Sequence, residues 1–197
     1  MKQPFVVFSV CTLMLASCEL FPFLDSDVID VESLVQVRNT GDTAVDGCGW
    51  TVFTNDTYYT VGDWDADLQV DGLYVAASLT KTGEEFQCGL DPDNALEEVE
   101  MELSSSDYTI LYYGKTQCSD PWAGTDLDVT VPIEEMIAFL EGRGVELILA
   151  QDLPIEFDGV VCAECTCSAL SYFRVGVLAS DVNQLLDMGW SEEVPTI

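Results

Sequence analysis

The sequence of 197 residues contains no histidine. This absence removes the usual general base, the serine–histidine and cysteine–histidine nucleophile pairs, and every histidine-ligated metal site. Nucleotide loops are missing too: the chain has no G-x-G-x-x-G segment and no phosphate-binding Gly-Lys-Ser/Thr loop with the required spacing. We therefore expect neither an enzyme nor a bound cofactor.

Positive charge is nearly as scarce. Six lysine and arginine residues stand against 36 acidic residues, which gives a formal net charge of −30. Such a field repels nucleic acid and anionic lipid head groups, so neither is an expected partner. A role in solubility and hydration explains the high acidic content. The more specific alternative is a surface that binds cations or a basic partner. Apolar residues make up 48% of the chain, so the acidity does not imply disorder.

A short apolar run opens the chain. Lys2 precedes it, residues 5–16 form it, and Ser9 and Thr12 interrupt it. A membrane-spanning helix needs about 20 apolar residues. A basic start, a short apolar run and a small-residue cleavage site are instead typical of a secretory signal peptide. Residues 1–17 are therefore predicted to be a signal peptide.

The run ends in Leu-Ala-Ser-Cys, residues 15–18, which resembles the lipobox of bacterial lipoproteins. The resemblance implies that the Cys18 sulfur receives a diacylglyceryl group and that Cys18 becomes the acylated, palmitate-carrying N-terminus. Two or three acyl chains, at about 0.8 kcal/mol per buried methylene, make anchoring effectively permanent. Residues 18–31 are then the lipidated N-terminus and an acidic tether at the cell envelope, expected at the outer membrane. The alternative is a soluble secreted protein with a free Cys18.

Six further cysteines predict disulfides. Of the eight cysteines, Cys11 leaves with the signal peptide and Cys18 is acylated. In an oxidising compartment the other six predict three disulfides. The six are Cys48, Cys88, Cys118, Cys162, Cys165 and Cys167.

The positions of these cysteines suggest the pairing. Cys48 and Cys88 are alone in the first half, so we expect them to pair. Cys165 and Cys167 are too close in sequence to pair without strain. The pairs expected in the second half are Cys118 with Cys165 and Cys162 with Cys167.

Two other interpretations of the cysteine cluster stay open. Residues 162–165 form a C-x-x-C, which on a helix N-terminus would be a redox dithiol; here the chain leads toward a strand instead. Cys118 with the three clustered cysteines would also suit a four-thiolate zinc site. Because thiolates survive poorly outside the cytoplasm, structural disulfides are favoured.

Residues 32–104 are predicted to form a small OB-like β-barrel. Five β-branched or aromatic runs lie between turn formers such as Asp71-Gly72 and residues 81–83, Lys-Thr-Gly. The runs are Leu34–Val37, Trp50–Phe53, Tyr58–Val61, Leu73–Leu79 and Val99–Leu103.

Residues 107–197 are predicted to form a ferredoxin-like α+β sandwich that lacks or has shifted its last strand. Strands are expected over residues 108–113, 145–151 and 172–178. A helix begins after Pro132, with an apolar stripe at i, i+3, i+4 and i+7, and a short helix follows Ser180. The stripe is Ile133, Met136, Ile137 and Leu140. We place a hinge between the halves at residues 104–107.

Parts of both halves resemble lipoproteins of the Bacteroidetes group. In the first half the segments are D-G-C-G-W at 46–50, D-G-L-Y-V at 71–75 and Cys88-Gly89. In the second half they are T-Q-C-S-D-P-W at 116–122 and C-x-x-C-x-C at 162–167. The resemblance implies an envelope address and a fold, and it transfers no activity.

Four aspartates between residues 62 and 72 resemble part of a calcium loop. Leu68 and Tyr74 stand where an EF-hand requires glycine and a bidentate glutamate, so at most weak cation binding is expected. Chance clustering explains the pattern better. The aspartates are Asp63, Asp65, Asp67 and Asp71.

The function favoured by these patterns is a lipid-anchored envelope protein that acts through binding or structure, with an envelope protein or a glycan as partner. Two alternatives are a glycan-active enzyme that uses carboxylates and an extracytoplasmic thiol–disulfide oxidoreductase. Trp50, Trp64, Trp122 and Trp190 would also stack on sugars, although tryptophan is more often core material.

Overall fold

The computed structural model describes residues 27–31, 34–45, 47–90, 93–117, 119–122, 132–159, 164 and 166–196. Within these ranges the fold is mainly β, with ten strands and two short α-helices. None of these helices is long and apolar enough to cross a membrane. The strands are β1 (Val28–Ile29), β2 (Val35–Asn39), β3 (Trp50–Thr54), β4 (Thr57–Val61), β5 (Tyr74–Val75), β6 (Ala77–Gln87), β7 (Ala95–Leu103), β8 (Thr109–Thr116), β9 (Leu147–Pro154) and β10 (Ser168–Val177), and the helices are α1 (Ile133–Glu141) and α2 (Val182–Asp187).

All ten strands belong to one mixed sheet, in the order β1-β6-β7-β4-β3-β2-β5-β9-β10-β8. The pair β4–β7 is parallel, and the other neighbours are antiparallel. Within the described ranges the end strands β1 and β8 do not pair with each other, so the sheet is open. The closed OB-like barrel predicted for residues 32–104 is therefore not confirmed. The physical reason is β5, which pairs with β2 on one side and continues the sheet through β9 on the other.

The two halves of the chain share this sheet at β5. Val75 pairs with Val35 of the first half and with Leu149 of the second half. Ala76, which accepts the backbone N–H of Ser104 at the predicted hinge, donates its own N–H to the carbonyl of Ile148 in the second half, each at 2.8 Å. The halves are therefore hydrogen-bonded to each other, and the predicted division into two independently folding domains stays a prediction.

The helices cover one face of the second-half sheet. The apolar stripe predicted for α1 is buried, and it packs with Leu111, Phe173 and Val175 from the strands. Burial of such a stripe gives most of the stability of a short helix. A second core, on the first-half sheet, is built around Val35, Val52 and Leu79.

One predicted turn is wrong. Residues 81–83 lie inside the long strand β6, not at a chain reversal. Lys81 pairs with Val99 and Glu85 with Glu97, so three residues of β6 face one residue of β7. Gly83, with φ of +78°, provides the left-handed conformation that this bulge needs. Lys-Thr-Gly therefore kinks the strand here and does not end it.

Candidate functional site

The predicted Cys48–Cys88 disulfide is present. It joins the segment before β3 to the end of β6 and closes a separation of 40 residues. Cys88 is completely buried. The bond therefore ties the long β6–β7 ribbon to the body of the first half.

The other predicted cysteine sites are only partly described. Cys167 is buried and disulfide-bonded, and its carbonyl accepts the Gln117 N–H at 2.9 Å. Because its partner is not among the described residues, the pairing predicted for the second half stays a prediction. Cys18, Cys118, Cys162 and Cys165 lie outside the described residues.

The aspartates of the calcium-like segment have structural roles. Asp65 caps a single 3-10 turn over Ala66–Leu68, where its Oδ1 accepts the Asp67 N–H at 3.0 Å. Asp71 Oδ1 accepts the Asn39 N–H at 2.9 Å. In the part of the chain that the structure describes, no three acidic or cysteine residues are placed to hold a metal ion.

Aromatic residues of the second half form a core cluster. Trp122 is buried against Tyr113, Phe173 and Trp190, with ring centroids 4.7, 5.6 and 6.1 Å away. Among the described residues, the buried indole N–H groups of Trp122 and Trp190 have no hydrogen-bond partner. These tryptophans therefore contribute to the core, as expected for most aromatic residues. Tyr112 lies on the opposite face of β8, against Tyr172 at 5.9 Å.

A cavity of about 380 Å³ lies between the two halves of the chain. We call it the junction cleft. Its apolar lining comes from both halves and consists of Leu68, Val70, Leu73, Leu103, Tyr108 and Leu149. Three charged residues complete it, namely Asp65, Asp67 and Arg174. Charged groups that converge among apolar side chains in a cavity of this size are consistent with a small-ligand site, since such sites span about 300–1,000 Å³.

Strand alternation places Arg174 at the cleft. In β10, Phe173 and Val175 point to the helix-covered core, so Arg174 points to the other face of the sheet. There it stands between Gln151 on β9 and Tyr112 on β8.

Gly176 makes room for the cleft wall on the same face of β10. A Cβ atom at this position would lie 2.8 Å from the Tyr108 ring and 2.9 Å from Leu149. Any larger residue would displace Tyr108 or Leu149. Glycine is therefore needed for the close packing of this wall.

The charge environment of Arg174 differs from that of the lysines. Lys81 forms a salt bridge with Glu97 at 3.1 Å, and Lys115 forms one with Asp152 at 2.7 Å. Arg174 forms none with the described carboxylates, and its hydrogen bond to Gln151 is long, 3.5 Å from Nη1 to Oε1. Its guanidinium group therefore has donors left for a ligand.

A second cavity, of about 360 Å³, is less suited to a ligand. It lies on β6 and β7, and its charged lining consists of Asp63, Glu100 and Glu102. These side chains repel one another and are solvated, and none of the described residues that line the cavity is basic. We therefore take the junction cleft as the candidate site.

Sequence reasoning did not find the junction cleft. The strand predicted over residues 172–178 did contain a signal, because alternation puts Arg174 on the face opposite Phe173. What covers that face depends on the pairing of β5 with β9, which no local pattern encodes. Comparison with known proteins adds no relative, since no family model, curated protein or solved structure matches the chain.

Two tyrosines have strongly perturbed hydroxyl groups. Burial, followed by the hydrogen bond and charge of Glu134, raises the pKa of Tyr74. Burial, followed by the charge and hydrogen bond of Asp120, raises the pKa of Tyr113 to about 12. Asp120 also accepts hydrogen bonds from Thr116, 2.9 Å from its backbone N–H and 2.8 Å from its hydroxyl. These contacts stabilise the fold at neutral pH, and neither tyrosine lines the junction cleft.

Proposed function

We propose that this protein is a lipid-anchored envelope protein, acylated at Cys18 and located at the outer membrane, that binds a ligand in the junction cleft. The observation that supports the proposed location is the Leu-Ala-Ser-Cys segment, which resembles a lipobox and follows a short apolar run. Loss of Lys2 with the signal leaves five basic and 36 acidic residues, a formal charge of −31. That charge keeps the anchored fold clear of anionic head groups.

Disulfide bonding supports an extracytoplasmic location. Disulfides persist in oxidising compartments and are reduced in most cytosols. Cys48 and Cys88 are bonded to each other, and Cys167 is bonded as well. The oxidised state of these sulfurs agrees with the compartment that the lipobox implies.

The chemistry of the cleft supports binding. Arg174 has free donor capacity, the two aspartates stand at the same cavity, and apolar side chains from both halves contribute to its lining. The chain has no histidine to act as a general base. A binding protein held at the membrane needs the charged and apolar groups of the cleft, and it does not need a general base.

We also propose that the second half has a ferredoxin-like arrangement without its last strand. The antiparallel order β9-β10-β8, with α1 between β8 and β9 and α2 after β10, supports this. Ser191 bridges Tyr112 on the outer edge of β8, where that architecture has its last strand. The Bacteroidetes-type resemblance of both halves remains part of the proposal.

Replacement of Cys18 tests the anchor. In a bacterial host, Cys18→Ser should move the protein from the membrane fraction to the soluble fraction or leave it as an uncleaved precursor. Cys11→Ser is the matched control, because Cys11 leaves with the signal peptide and its loss should change nothing. A Cys18→Ser protein that is processed and fractionates like the wild type would contradict the proposal.

Native mass spectrometry tests binding in the cleft. Protein extracted from envelopes in mild detergent should carry a small-molecule adduct, which Arg174→Met should lose. Arg38→Met is the matched control, because Arg38 is also partly buried on a strand and does not line the cleft. An adduct that survives Arg174→Met, or no adduct at all, would count against the cleft as the binding site.

A further inference from the structure

We propose that the junction cleft takes a small zwitterion of the α-amino acid type, with its carboxylate at Arg174 and its ammonium group at Asp65 and Asp67. This inference rests on the proposed function and names the class of ligand for the same site. Three observations carry it: the open guanidinium group, the separated acidic side chains, and the net charge of the chain.

Arg174 supplies the carboxylate subsite. Guanidinium presents a planar fork of five N–H donors, whose geometry matches the two oxygens of a carboxylate. Among the described residues the guanidinium group donates to Gln151 Oε1, at 3.5 Å, and Gln151 itself is 5% exposed. In a chain with 36 acidic residues, an arginine that lines a cavity without a salt bridge to a described carboxylate is free to receive one from a ligand.

Asp65 and Asp67 supply the ammonium subsite. Both line the cavity that Arg174 lines, yet neither forms a salt bridge with it. One oxygen of Asp65 is used by the Asp67 N–H. The opposite charges therefore stand in one cavity without neutralising each other directly, and a ligand that carries both charges would complement both.

Net charge selects between the ligand classes. A simple anion would be repelled by the large negative field of the protein. A simple cation would leave Arg174 without a counter-charge and would find many competing acidic sites elsewhere on the chain. A zwitterion is neutral as a whole, so it avoids both costs. The apolar residues of the lining, which include Leu68, Leu73 and Leu149, suit an apolar side chain.

Three matched probe pools test the ligand class on the full acylated protein in detergent. One pool contains apolar L-amino acids such as L-leucine, the second their amides, and the third their N-acetyl derivatives. The amides lack the carboxylate, and the N-acetyl derivatives lack the ammonium group. Affinity is measured by titration calorimetry and by the shift in melting temperature. Each single-charge pool should bind at least about tenfold more weakly than the zwitterions.

Variants locate the two subsites. Arg174→Met should weaken binding of the amino-acid pool at least about tenfold. Asp67→Asn should do the same without loss of the cap that Asp65 provides. Arg38→Met should bind as the wild type does.

Two outcomes would overturn the inference. One is an amino-acid pool that gives no signal at millimolar concentration, or none stronger than the amide and N-acetyl pools. The other is binding that Arg174→Met leaves unchanged. An Arg174-dependent envelope adduct that is a neutral sugar or a simple anion would overturn the zwitterion while the proposed binding function stands.

Discussion

The Tyr74 hydroxyl donates a hydrogen bond to the Glu134 carboxylate, and this contact joins the two halves of the chain. Tyr74 belongs to β5, the two-residue strand that also connects the first-half strands to β9. Glu134 lies in the first turn of α1, where the helix dipole favours a negative charge. Backbone pairing and a side-chain contact therefore meet at one residue.

We expect Tyr74→Phe to weaken the junction between the halves. The variant keeps the ring and removes the hydroxyl donor, so the free energy of unfolding should fall by about 1–2 kcal/mol. Tyr58→Phe is the control, since Tyr58 is 41% exposed and its hydroxyl has no hydrogen-bond partner in the described part of the chain. Urea unfolding measures both. Equal stability of the two variants would show that the Glu134 contact contributes nothing.

We expect stability to fall at alkaline pH partly because of Tyr113. An unfolded tyrosine ionises near pH 10, whereas the pKa of Tyr113 in the fold is about 12. Between these values the unfolded state binds fewer protons than the folded state, so unfolding becomes easier as pH rises. The contribution is complete below pH 10 and is lost toward about pH 12, on the order of 2 kcal/mol for this partly exposed side chain.

Tyr113→Phe isolates this effect. Because phenylalanine does not ionise, the variant should lose less stability than the wild type between pH 10 and about pH 12. Urea unfolding at a series of pH values makes the measurement, and parallel curves for the wild type and Tyr113→Phe would refute the assignment.

Removal of Lys115 and removal of Asp152, the two partners of one salt bridge, should lower the free energy of unfolding by different amounts. Lys115 has a side chain that is 1% exposed and lies 4.4 Å from the Phe173 ring, while the Asp152 side chain is 35% exposed. Asp152→Ala removes this carboxylate from the buried ammonium group, and should cost about 2 kcal/mol, as expected for a hydrogen bond between charged groups. Lys115→Met leaves a carboxylate that water hydrates, and should cost about 1 kcal/mol. Chemical denaturation that finds Lys115→Met the more damaging change would contradict this.

Removal of the Cys48–Cys88 disulfide should destabilise the first half. For a separation of 40 residues, the loop-entropy model gives about 4 kcal/mol. The double variant Cys48→Ala/Cys88→Ala should therefore unfold at lower urea concentration than the wild type. A thiol-reactive label applied to the native wild-type protein should leave both cysteines unmodified. Unchanged stability of the double variant would mean that the bond does not constrain the chain.

Local patterns predicted much of the secondary structure and one covalent link. The stripe of Ile133, Met136 and Leu140 is helical and buried, because a period of 3.6 residues places these apolar side chains on one face of a helix. Cys48 and Cys88 could be paired from their positions alone. Hydrophobic periodicity and the positions of cysteines along the chain can both be identified from the sequence, so the helix and the disulfide could be predicted.

Long-range pairing could not be predicted in the same way. β5 contains only Tyr74 and Val75, and nothing in two residues indicates that they pair with both β2 and β9. That pairing opens the predicted barrel and creates the junction cleft. The Lys-Thr-Gly segment in β6 was misleading because glycine serves a bulge as well as a turn. Arg174 lines a cavity only because these strands, which are distant in sequence, pair with each other.

Intact-mass analysis of protein extracted from membranes tests the central claim most directly. We expect a polypeptide that begins at Cys18, carries a diacylglyceryl group and further acyl mass, and lacks the six thiol hydrogens of its remaining cysteines. A chain that begins at another residue, or one without fatty mass at Cys18, would contradict the anchored envelope protein proposed here.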